Sequence, residues 1–115
     1  MAGLMNEQGT ITISDDVIAN IVGACAEQSY GLVGMAVKSA QEGFAELLNR
    51  ENYKKGVRVK TVDDALVIDM YVIVEYGISI NTAAQSAIDL VKYTVESTTG
   101  LKVASVNITV EGVRV

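Results

Sequence analysis

With 115 residues, half of them hydrophobic and a fifth charged, the chain has the composition of one globular domain and not of a disordered segment. One cysteine and no histidine exclude an internal disulfide and Ser-His or Cys-His catalysis, and leave a zinc site without its usual ligands. A net charge of −5 argues against general polyanion binding, which phosphate neutralisation drives.

Met1 to Gln8 has neither the basic nor the apolar region of a signal peptide, and reads as a flexible tail (residues 1–8) ahead of a single domain over residues 9–113. GTITIS from Gly9 predicts a short half-buried strand, with Ile11 and Ile13 on one face and Thr10 and Thr12 on the other. Ser14 followed by Asp15 and Asp16 marks a helix start: a side-chain oxygen takes an orphan N–H and acidic groups suit the first turn. The helix should run over 16–28 with Val17, Ile18, Ile21, Val22 and Cys25 inward. Its small flank, Ala19, Gly23 and Ala26, fits close packing within the monomer or a subunit contact.

Gly31 is placed to end that helix in a left-handed conformation. Leu32 to Val37 then reads as a short strand interrupted by Gly34, and Ala40 to Tyr53 as a second helix with Phe44, Leu47 and Leu48 inward.

Ala65 to Gly77 is the organising strand. Leu66, Ile68, Met70, Val72, Val74 and Tyr76 are all apolar, whereas the alternate positions are mixed, so one face is buried and the other partly wet. Val57 to Val62 pairs with it as a hairpin through Asp63-Asp64. The tight register sets Val62 opposite Ala65, Thr61 opposite Leu66, Val59 opposite Ile68 and Val57 opposite Met70. It also sets Arg58 opposite Asp69, a complementary charge pair. Asp-Asp lacks the glycine that a two-residue turn prefers, so a longer loop is the alternative.

Ile80 to Thr99 predicts the longest helix, capped by Ser79 or Asn81 and stopped by Gly100. The last strand should put Ala104, Val106, Ile108 and Val110 inward and Ser105, Asn107, Thr109 and Glu111 outward, with Arg114 and Val115 fraying. The long helix between two strands leaves room for a right-handed parallel crossover. The expected fold class is α+β: a two-layer sandwich in which a small mixed β-sheet carries about three helices on one face.

No P-loop or dinucleotide fingerprint occurs, and Asp15-Asp16 and Asp63-Asp64 are explained by a helix start and a turn. No catalytic residue, metal site or cofactor is expected. Two surfaces stand out. The open sheet face offers Tyr71, Ile73, Asn107 and Thr109, with Tyr71 and Ile73 apolar for a solvated role. Arg50, Lys54, Lys55, Arg58 and Lys60 form a basic patch on an acidic protein, either a solvated face or a docking surface for an acidic partner or a membrane surface. Gly31-Leu32-Val33-Gly34 matches the GxxG of KH-type RNA-binding loops, but with apolar inner residues. No window reaches the length of a membrane span.

The blocks GTITISDDVIANIVGACA, YGLVGMAVK, KKGVRVKTVDDALVIDMYVIVEYG and TGLKVASVNITVEGV together resemble the alkaline shock protein, or envelope stress response, family of Gram-positive bacteria. The resemblance covers residues 9–113, departing at Asn81-Thr82, where the family often has Pro and an acidic residue. It implies a non-enzymatic cytoplasmic protein of cell-envelope stress response and homeostasis. It also implies protein–protein contacts, with a membrane-anchored partner or as a homo-oligomer, and so a place at the inner side of the membrane through that partner. The alternatives are a soluble regulatory binder linked to lipid-precursor metabolism and a KH-like RNA-binding module.

Overall fold

The computed structural model describes residues 2–37, 46–47 and 56–115. In chain order the elements are β1 (Ala2–Asn6), β2 (Gly9–Ile13), α1 (Asp15–Gln28), β3 (Leu32–Val37), β4 (Glu46–Leu47), β5 (Val57–Val62), β6 (Ala65–Glu75), α2 (Ile80–Thr99) and β7 (Lys102–Arg114). The result is a mixed α+β architecture with two sheets and two helices among the described residues.

β6 is the centre of the larger sheet. β7 runs parallel to it along one edge, from Ala65↔Lys102 to Glu75↔Arg114. A strand has two edges, so β5 and β3, both antiparallel, share the other. β5 takes Ala65 to Met70, and β3 takes Val72 to Val74. β4 adds a short bridge to β3.

The hairpin register agrees pair for pair with the sequence expectation, from Val57↔Met70 to Val62↔Ala65. The turn is the tight one. Asp63 and Asp64 both take positive φ, 51° and 64°, the signature of a two-residue turn whose twist matches the strands. Aspartate tolerates this region better than most residues, yet the second position favours glycine. Asp64→Gly is therefore expected to raise stability by about 0.5–1 kcal/mol, read as a higher urea midpoint at unchanged slope.

Alternation along β6 sends Leu66, Ile68, Met70, Val72 and Val74 to one face, each at most 1% exposed. They form one core with Ile18, Val22, Cys25 and Ala26 of α1 and Ala87, Val91 and Val95 of α2. Both helices start as expected: the hydroxyls of Ser14 and Ser79 accept from Val17 N and Thr82 N. α2 ends at Gly100, left-handed at φ 77°, and buried Thr99 secures the exit. Its Oγ1 donates to Val95 O at 2.6 Å and accepts from Leu101 N at 3.1 Å. Glu96 Oε2 then accepts from Val103 N at 3.0 Å, tying the helix to the incoming strand.

The buried stripe of α1 lies nearer its small flank than its large residues suggested. Ala19, Gly23 and Ala26 are buried within the chain, while Val17 is 48% exposed. The neutral thiol of Cys25 lies in this layer, its pKa pushed up by burial and partly drawn back by a hydrogen bond with the Thr94 side chain.

Other expectations are corrected. The tail expected over residues 1–8 contains a strand: β1 pairs antiparallel with β2 from Ala2↔Ile13 to Asn6↔Gly9. Leu4 packs against the core margin, over Gly100. In this separate two-stranded sheet Ile13 is half-buried, but Ile11 is exposed. The helix expected over residues 40–53, the third of the predicted set, lies mostly outside the described residues. Where it is described, Glu46 and Leu47 are strand, opposite Val37 and Ala36. In β7 the register slips between Leu66 and Val67 and again between Val72 and Ile73, which leaves Ala104 and Glu111 unmatched. Val103 is therefore buried, whereas Ala104, expected inward, is exposed. Arg114, expected to fray, closes the ladder: its carbonyl accepts from Tyr76 N, and its guanidinium pairs with Glu75.

Candidate functional site

The second face of the large sheet is built from the odd positions of β6. Strand pairing fixes what lies beside each of them. Val67 sits between Lys60 of β5 and Ser105 of β7, and Asp69 between Arg58 and Asn107. Tyr71 has Thr109 on one side; on the other its N–H donates to the carbonyl of Gly56, which brings no side chain. Val67, Asp69 and Tyr71 are half-buried, and Arg58, Lys60, Ser105, Asn107 and Thr109 are exposed. A half-buried phenol ring between a glycine backbone and the short polar side chain of Thr109 suits contact with a second surface.

The Asp69 carboxylate takes a different partner from the expected one. Asn107 Nδ2 donates to its Oδ1 at 2.9 Å, and Arg58, although directly opposite in register, makes no ion pair among the described residues. The parallel strand reaches the carboxylate with a short amide, and the guanidinium stays in solvent.

Of the four residues expected on this face, Tyr71, Asn107 and Thr109 come together. Ile73 does not belong with them. It is 9% exposed, between Gly34 of β3 and Gly112 of β7, at the end where β3 replaces β5. Thr10 and Thr12, the polar side of β2, lie on the small hairpin sheet. Of the basic patch, Arg58 and Lys60 are exposed on β5, while Arg50, Lys54 and Lys55 lie outside the described residues. Gly31 to Gly34 makes no protruding phosphate-clamping loop: Leu32 and Gly34 are buried, and Leu32 pairs with Val74.

A cavity of about 480 Å³ went unseen in the sequence. It lies between β1, the β5–β6 turn and the start of β7, and Leu4, Met5, Leu66, Leu101, Asp64 and Lys102 contribute to its walls. Finding it required knowing that residues 2–6 are paired. Among the described residues no cluster of His, Cys, Asp and Glu could hold a metal ion.

A protein-family profile described as the alkaline shock protein 23 family, of cell envelope-related function, matches residues 3–115. The chain belongs to that family. YloU of Bacillus subtilis is 47% identical over 113 residues, covering 97% of this chain and 94% of its own length. Spy1614 of Streptococcus pyogenes is 42% identical, covering 95% and 91%. A stress response regulator gls24 homolog of Streptococcus pyogenes is 29% identical, covering 93% of this chain and 60% of its own. Among solved structures, the copper form of MamM CTD covers 88% of each chain at a TM-score of 0.52 and 15% identity, a likeness of fold alone. The envelope-stress resemblance read from the sequence blocks is thus the family to which the chain belongs. Among the described residues of this family member, no helix is long and apolar enough to cross a membrane.

Proposed function

We propose that this protein is a non-enzymatic interaction module of cell-envelope stress response and homeostasis, and that it engages a protein partner through the open sheet face. The observation that carries this reading is that the two described helices lie on one face of the sheet. Both described helices join the core on the even face of β6, and half-buried Tyr71 lies on the other beside Thr109 and the Gly56 backbone. The family's envelope-related description and the stress-regulator name of a relative support the physiological setting. Within it, the protein works in the cytoplasm, reaches the membrane through an anchored partner, and associates with further copies of itself. No reaction is assigned to it: the chain has no histidine, and the two carboxylates at odd positions of β6, Asp69 and Glu75, are bonded by Asn107 and Arg114.

The test is crosslinking in the native host followed by identification of what is attached, wild type against Tyr71→Glu. A buried tyrosine anchor contributes about 2 kcal/mol at a protein interface, so recovery of the partner should fall by roughly tenfold or more. The domain should stay folded, with a cooperative melting curve, because Tyr71 lies outside the core formed with the two helices. Unaltered recovery with Tyr71→Glu would overturn the assignment of this face.

A further inference from the structure

The charges of this protein are sorted by layer. On the helices the described ones are Asp15, Asp16, Glu27, Asp89 and Glu96 against Lys92 alone. The open sheet face has the opposite character. Arg58 and Lys60 project from alternate positions of β5, hence on the same side and roughly 7 Å apart. Both are exposed, and neither makes an ion pair among the described residues. The carboxylate best placed to neutralise Arg58, that of Asp69, is held by Asn107. A chain with net charge −5 thus leaves two cations without an ion pair among the described residues, on the sheet face opposite the two described helices.

We infer that the open face docks an acidic, extended polypeptide segment of a partner protein, with carboxylates at alternate positions set against Arg58 and Lys60 and its backbone crossing toward Tyr71. This rests on the open-face reading above and adds the chemistry of the partner. The spacing supports it, since alternate side chains of an extended chain repeat at the same interval of about 7 Å. Asp69 at the centre of the face and the negative net charge disfavour a nucleic-acid backbone, whose charge is continuous. A carboxylate segment can place charge over β5 and leave the strip over Asp69 neutral. Such pairs act chiefly on encounter rate and register, and weaken as salt rises.

The experiment is a 15N NMR titration of the full chain at low salt with a glutamate octamer, a glutamine octamer serving as the uncharged control. Shifts should centre on Arg58 to Lys60, Val67 to Tyr71 and Ser105 to Thr109, and diminish with added salt. The double variant Arg58→Glu with Lys60→Glu should weaken binding by about tenfold or more, and Arg58→Gln with Lys60→Gln by a smaller factor. The neutral pair guards against a folding defect from acidic side chains beside Asp69. The inference is overturned by absent shifts, by shifts centred on α1 or α2, by equal binding of the glutamine octamer, or by unchanged binding of both variants. A stronger response to single-stranded RNA or to phosphatidylserine vesicles would likewise replace the acidic segment as the occupant. If Tyr71→Glu lowers native partner recovery while the Arg58 and Lys60 variants bind the octamer like wild type, the face reading stands and the acidic partner fails. If Tyr71→Glu leaves recovery intact, the face itself is at fault.

Discussion

Ile68→Ala is expected to remove about 3–4 kcal/mol of folding stability, a large share of what a domain of this size possesses. Ile68 is 0% exposed at the middle of β6, opposite Val59 on one side and Val106 on the other. Both neighbouring backbones are held by the ladder, and α1 and α2 close the core above. The three methyl and methylene carbons lost cannot be replaced by local collapse, so the transfer term and the cavity term add. Urea denaturation should show a lower midpoint at unchanged slope. A loss below roughly 1 kcal/mol would mean that this core is far more pliable than close packing allows.

Gly31→Ala should cost about 2–4 kcal/mol although it adds a single carbon. Gly31 has φ 79°, a region that L side chains rarely adopt, and its carbonyl accepts from Glu75 N at the start of the β3–β6 pairing. A Cβ there would lie 2.9 Å from Ile78 Cδ1 and 3.0 Å from Ala83 Cβ. The isoleucine tip can turn aside. Ala83 cannot, because it is fully buried on the first turns of α2. Substituting Ala83→Gly in the same chain should recover part of the loss, although glycine in a helix itself costs about 1 kcal/mol. A double-mutant cycle with coupling near zero would show that backbone conformation alone, and not the contact with α2, makes glycine necessary here.

Both substitutions act on the scaffold and leave the open face untouched. The predictions on Tyr71, Arg58 and Lys60 are exposed-face changes that leave the core intact, so loss of fold and loss of partner are separable in this protein.

The site was legible in part. Tyr71, Asn107 and Thr109 were readable as one surface because period-2 alternation assigns faces without knowledge of distant partners. Ile73 obeys the same alternation, yet it is buried where Gly34 of β3 and Gly112 of β7 flank it. No local pattern says which strand covers which half of an edge. The Arg58–Asp69 pair shows the same limit: the register was right, but Asn107, 38 residues further along the chain, took the carboxylate.

The sequence by itself determined the elements whose signals are local. Ser14, Ser79 and Gly100 bound the two helices through capping oxygens and a left-handed stop, and the β5–β6 register followed from matching apolar faces across a short turn. Family membership was also legible, since the order of its blocks survives in the linear chain. Only the tertiary structure decided the rest. β1 is a strand because β2 pairs with it and Leu4 finds a seat near Gly100, not because of any strong propensity in AGLMN. β7 shifts phase at Ala104 and Glu111 because its ladder must follow a β6 strand that is remote in sequence. Periodicity records which side chains prefer to be dry; which partner dries them is settled by contacts between distant residues, and those exist only once the chain has folded.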